Sequence, residues 1–276
     1  MFAGARAESV KKLCSGFLPE NNLQIPVGTS FRGQATGISE AQFNSILDRM
    51  ASLYTAEIKS HGGKYVIDRR WTDATVNAYA TQSGGTWTIE MFGGLARYKG
   101  MTEDGFAAVA CHETGHHLGG APKFSDMDWG TVEGGADYYA TLKCLKRYMD
   151  ADDNEKIVAG MSPDPVGVKA CNDQWTNRHD VLVCIRATEA GIVLGRVLQS
   201  LGGEKDVHLD TPDPAVVAAT DPDHPAAQCR LDTYFNGSLC TVPVSQLQSE
   251  TDAKQGSCYD ANLTPRGLRP RCWFKP

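Results

Sequence analysis

Across residues 39–61 the apolar side chains Phe43, Ile46, Leu47, Met50, Leu53, Tyr54 and Ile58 recur every three or four positions, the period of one helical face. Ser39 and Gln42 precede this stripe at the spacing of a capping box, and Gly62-Gly63 ends it, so a helix packed on a core is expected. Three short extended runs follow, at residues 64–71, 76–81 and 86–92, broken by Asp73 and by Ser83-Gly84-Gly85. They read as a small sheet with hairpin turns. Residues 87–92 are expected to form its edge strand, which could hold an extended peptide by main-chain hydrogen bonds.

Beyond the sheet the helical period returns. Thr102 is placed to cap a helix whose Phe106, Val109 and Ala110 face the core, stopped by Gly119-Gly120 and Pro122. A second helix is expected over residues 131–147, with Leu142 and Leu145 on its apolar side. Residues 150–178 show weak periodicity and read as loops with one short helix. In residues 180–201, Leu182, Ile185, Ile192, Val193, Val197 and Leu198 follow a helical pattern that ends at Gly202-Gly203. The fold class is therefore α+β: a small sheet, then a helix, then a helical lower part. The 276 residues are expected to form one unit, with a cysteine-bearing C-terminal segment over about residues 235–276.

Composition narrows the class. Hydrophobic residues at 41% and charged residues at 22% suit a chain that buries a sizeable core. A formal net charge of −6, with no basic run, argues against a nucleic-acid partner, and no apolar stretch approaches the length of a membrane span. The nine cysteines, at positions 14, 111, 144, 171, 184, 229, 240, 258 and 272, are not arranged as zinc-ribbon pairs. They point to disulfides and an exported, periplasmic or extracellular location. Close spacing favours Cys229 with Cys240 and Cys258 with Cys272, and leaves Cys111, on a buried helix, as the unpaired thiol. Ala5-Arg6-Ala7 has the small-x-small form of a signal-peptide end, without an apolar stretch before it.

Chemistry enters at Cys111-His112-Glu113-Thr114-Gly115-His116-His117, which contains His-Glu-x-x-His. Four residues apart on a helix, His112 and His116 present their imidazoles to one Zn2+ ion, and Glu113 is placed as general base. A catalytic zinc needs a third protein ligand. The three-histidine layout fails because Pro122 stands where its last histidine would be. In Glu133-Gly134-Gly135-Ala136-Asp137, Glu133 is the best remaining ligand, and Asp137, one turn on, is placed to take the free N–H of a ligating imidazole.

A last segment, Asp221-Pro222-Asp223-His224-Pro225, leads to Arg230. Asp223 is placed to cap a helix with Pro225 in its first turn, His224 at the mouth and Arg230 about two turns on. In order, His-Glu-x-x-His, Glu-x-x-x-Asp and His-Pro-x-x-x-x-Arg resemble the gluzincin metallopeptidases, specifically the CAAX prenyl endopeptidase family (metallopeptidase family forty-eight) and its soluble bacterial relatives. The likeness runs from about Asn77 to Arg230, and the cysteine-bearing tail lies outside it. It implies a zincin-like domain with one zinc held by His112, His116 and Glu133, Glu113 as base and Asp137 orienting a ligand. It also implies that His224 and Arg230 line the active site, and for catalysis either one would suit as a donor to the oxyanion. The substrate would be a protein or peptide, without the prenylated membrane substrates of the membrane-spanning members. The alternatives are a secreted zinc-binding protein without turnover and a zinc amidase acting on cell-wall material.

Overall fold

The computed structural model describes residues 16–31, 34–35, 37–202, 206–260 and 266–276. In chain order the elements are β1 (Ser30–Phe31), β2 (Gln34–Ala35), α1 (Glu40–Ser60), β3 (Lys64–Arg70), β4 (Ala78–Ser83), β5 (Thr86–Phe92), α2 (Gly93–Ala96) and α3 (Glu103–Leu118). Then come α4 (Glu133–Tyr139), a π-helical turn (Ala140–Cys144), α5 (Leu145–Met149), α6 (Asn154–Ala159), α7 (Pro165–Gln174), α8 (Arg178–Gly202) and α9 (Ala227–Leu239). The α+β class read from the pattern is the class observed.

α1 begins with the expected capping box: Ser39 accepts the Gln42 amide N–H, and the Gln42 side chain accepts the Ser39 N–H. Its stripe is buried, with Leu53 only partly covered. The sheet corrects one expectation. Its order is β3-β5-β4, with β5 parallel to β3 and antiparallel to β4, so residues 86–92 form the central strand and β4 an outer one. The last four residues of β5, Ile89 to Phe92, are all buried, as befits a strand paired on both sides.

α3 is the central helix. Thr102 accepts the Gly105 N–H at its start, and every residue from Gly105 to Leu118 is buried. The second metal-side helix starts at Glu133, two residues later than the period implied, and is interrupted by the π-helical turn before α5. α4 packs so closely on the C-terminal segment that a Cβ on Gly134 would lie 2.3 Å from the Trp273 ring. Trp273 is fully buried and donates its indole N–H to Thr233 Oγ1 at 2.9 Å.

Residues 150–178 hold α6 and α7 rather than loops with one helix. Asp153 and Asp164 cap them by accepting the Lys156 and Val166 N–H groups, and Pro165 opens α7, so local capping replaces the missing apolar period. α9 begins at Ala227, with Ala226 at its N-cap and no side-chain cap. Asp223 therefore caps nothing: its own N–H is taken by Asp221, whose side chain turns the chain two residues earlier.

The cysteine expectations are also overturned. The disulfides are Cys111–Cys144, Cys171–Cys184, Cys229–Cys272 and Cys240–Cys258, while Cys14 lies outside the described residues. Cys229 and Cys240 stand at opposite ends of α9, roughly 16 Å apart along a helix of 1.5 Å rise, too far to bridge. Cys111 is buried, as expected, but α3 packs against the π-helical turn that carries Cys144, bringing the two Cα atoms to 5.5 Å. No helix among the described residues is long and apolar enough to cross a membrane.

Candidate metal centre

α3 and α4 cross so that His112, His116 and Glu133 meet. One donor atom from each lies within 4.8 Å of the others. His112 Nε2 is 3.1 Å from His116 Nε2 and 3.3 Å from Glu133 Oε2, and His116 Nε2 is 3.7 Å from Glu133 Oε1. Ligands at about 2.0–2.2 Å from a tetrahedral zinc stand roughly 3.3–3.6 Å from one another, so the cluster has the size of the ion.

The hydrogen bonds behind the ligands explain why these atoms converge. His112 Nδ1 is 2.7 Å from Asp137 Oδ1, and His116 Nδ1 is 2.8 Å from the Thr131 carbonyl oxygen. Both partners only accept, so each Nδ1 carries a proton and each ring turns its Nε2 inward. Two imidazole nitrogens and a carboxylate then face one another in the interior. Positive charge between them makes that arrangement favourable, and the donor set of two imidazoles and a carboxylate fits zinc.

Burial sets the proton affinities. It drives Glu113 up to about 8, while it drives His116 down to about 4. Burial alone would lower His112, but the Asp137 and Glu133 carboxylates outweigh it and raise the imidazole to about 9. Burial would raise Glu133 and Asp137, yet both are held well below the carboxylate range: Glu133 by His116 and His112, Asp137 by Arg230 and His112. Both Glu113 oxygens and both Glu133 oxygens are buried without hydrogen-bond partners among the described residues. For Glu133 the histidines lie within ion-pair reach but outside hydrogen-bond geometry.

Asp137 is the hub behind the site. Besides His112 it accepts Arg230 Nε at 2.6 Å and Nη2 at 2.8 Å, and a short hydrogen bond from the Tyr234 hydroxyl. Arg230 is fully buried and gives its remaining Nη1 to the Phe17 carbonyl at 2.7 Å. His224 stands at the front, with Nε2 3.4 Å from Glu133 Oε2 and 2.6 Å from the Gly16 carbonyl oxygen. All the residues read from the three motifs therefore gather at one place. Sequence reasoning missed Tyr234, which follows Arg230 by one helical turn, and it missed Phe17 and the Thr131 carbonyl, for which the sequence holds no signal. His117 points elsewhere, stacked between Trp87 at 5.5 Å and Trp129 at 5.3 Å.

This buried His112-Glu113-x-x-His116 and Glu133 cluster is a zincin-type metalloprotease site, and the chain is a metal-dependent hydrolase of peptide bonds. No family model, curated protein or solved structure matches the chain.

Proposed function

We propose that the protein is a zinc-dependent endopeptidase of the gluzincin type, related to the CAAX prenyl endopeptidase family, exported to the periplasm or the outside of the cell. One observation carries the reading: three inward-facing donor atoms converge beside a glutamate whose two oxygens have no hydrogen-bond partner among the described residues. The order of the three motifs supports the family, and the disulfides support an oxidising compartment. The chain is treated as one unit, its tail tied back by Cys229–Cys272 and Cys240–Cys258.

His112, His116 and Glu133 would hold one zinc, which when bound acidifies a water to a pKa of about 7 and polarises a carbonyl. Glu113 takes the proton of the attacking water as the C–O bond forms, and passes it to the leaving amine as the tetrahedral intermediate collapses and the C–N bond breaks. Its burial keeps bulk water from competing for that proton. His224 donates from Nε2 to the carbonyl oxygen on which negative charge grows, as it already does to the Gly16 carbonyl. Arg230 was the other residue expected to suit as that donor. With its guanidinium shared between Asp137 and Phe17, the role we propose for it is to hold Asp137, and through Asp137 the His112 ring.

The test is Glu113→Gln with zinc content measured alongside cleavage of a peptide library. We expect about one zinc per chain in both proteins and no cleavage by the variant. Full cleavage by Glu113→Gln removes the base, and zinc-loaded wild type that cleaves cell-wall amides but no peptide removes the peptidase reading.

A further inference from the structure

A catalytic zinc site must leave a way in for its substrate. Here His112, Glu113 and Glu133 are 0% exposed and His116 is 1% exposed. Among the described residues, Gly16-Phe17-Leu18 is one of the segments that cover the site, beside the turn at residues 222–224 and Phe124, and all three of its residues are buried. How it is held is informative.

Its main chain is bound group by group. His224 donates to the Gly16 carbonyl at 2.6 Å, the Phe17 N–H donates to the Ala78 carbonyl at 2.9 Å, and Arg230 donates to the Phe17 carbonyl at 2.7 Å. Asn77 clamps Leu18 from both sides, accepting its N–H at 2.9 Å and donating to its carbonyl at 3.1 Å. Ala78 opens β4, an outer strand of the sheet, and further along Gln24 pairs antiparallel with Thr75. The chain from Phe17 to Gln24 thus runs antiparallel to residues 75–78 at the start of an outer strand, tied to it by separate main-chain contacts and bent at Phe17 and Leu18. Both side chains of the segment, Phe17 and Leu18, are fully buried in the core, and the Phe17 ring meets the His112 ring edge-on at 5.3 Å and lies under the Arg230 guanidinium at 4.8 Å.

We propose that the line from Asn77 and Ala78 to His224 and Arg230 is the peptide-binding groove of this enzyme, and that Gly16-Phe17-Leu18 is its built-in occupant, so that the folded chain is latent until the segment lifts. The proposal rests on the metallopeptidase reading above. It also names the ligand class: a peptide held by its main chain, with an aromatic residue in the Phe17 seat.

Gly16 offers a way to unseat the segment without touching its core residues. It has φ of +85°, and an added Cβ would lie 2.4 Å from the Ala78 carbonyl oxygen and 2.6 Å from the Tyr79 ring. Gly16→Ala is therefore incompatible with the seated conformation. Leu18→Pro is a second, independent variant, made in the segment and not in the groove, because it removes the N–H that Asn77 accepts. Three quantities are compared in zinc-loaded wild type and both variants: melting temperature, the rate at which a chelator strips the zinc, and kcat/KM on a fluorogenic peptide library. In variants that remain folded we expect zinc stripping and peptide cleavage each to rise by about tenfold or more, the size of a strain-driven shift in a two-state equilibrium. Wild-type stripping and cleavage rates in both folded variants would overturn the proposal. Faster stripping with no peptide cleaved by any of the three proteins would uphold the groove's occlusion and sink the peptidase reading. Vigorous wild-type cleavage that neither variant increases would do the reverse, and a chain that takes up no zinc would sink both.

Discussion

Two clusters of buried charge lie on opposite ends of α3, and they differ in what they leave undone. At the N-terminal end, Arg186 donates to Asp104 at 2.7 and 3.0 Å, to Asp152 at 2.8 Å and to Asn154 at 2.6 Å. Asp152 is further paired with Arg49 at 2.7 Å. At the C-terminal end, the carboxylate oxygens of Glu113 and Glu133 find no hydrogen-bond donor among the described residues, and two imidazole nitrogens face each other at 3.1 Å. Leaving buried polar atoms unpaired costs about 1–3 kcal/mol each, more when they are charged, so an arrangement kept at that cost is one that something else completes. The Arg186 cluster even borders a cavity of about 510 Å³, also lined by Arg49, Asp104 and Asp152, while the metal cluster is sealed. Open space does not mark the chemistry in this molecule; unsatisfied valence does.

If the contrast is right, substitutions at the two ends fail differently. The largest effect on function is expected from Glu113→Gln, with kcat down by about 10²–10⁴-fold or more and the melting temperature nearly unchanged; steady-state kinetics beside calorimetry would show it. Arg186→Met should do the opposite, destabilising the fold by about 1–3 kcal/mol because Asp104 loses its partner and Asp152 keeps only Arg49, while the molecules that stay folded keep their turnover. Equal loss of kcat in the two variants, measured at a temperature where both are folded, would erase the distinction. Asp137→Asn, intermediate in kind, should weaken zinc binding by about 10–100-fold, read by competition with a chelator, because the His112 tautomer loses its anchor. The smallest change is expected from Tyr234→Phe, which removes one of four donors to Asp137. A loss of about 1 kcal/mol in unfolding free energy with zinc affinity nearly intact would mark Tyr234 as the outermost part of the network.

Much of the molecule was legible where the cause was local. The capping box at Ser39, the Thr102 cap and the i, i+4 histidines depend on neighbours within one helical turn, and each appears where the pattern put it. The order of the strands did not, because the parallel pairing of β3 with β5 brings together residues separated by β4 and leaves no local trace. Cysteine pairing failed for a related reason. Sequence proximity made Cys229 and Cys240 attractive, but α9 stands between them as a rigid spacer. Burial made Cys111 seem solitary, whereas the helix packing that buries it also supplies Cys144. The donor residues of the candidate site were readable from their motifs, but the N-terminal segment seated against them was not, since Phe17 and Arg230 are 213 positions apart.

The contact between Gly134 and Trp273 has a consequence in time. Glu133 takes its position from a helix whose packing partner is made well over a hundred residues later. At about 5–20 residues per second, that interval is on the order of ten seconds of synthesis. Before Trp273 arrives, α4 can pack on α3, made just before it, but the side that Gly134 presents stays open. The packing behind Glu133 is therefore completed late in the making of each molecule, once the chain is long enough to close on itself.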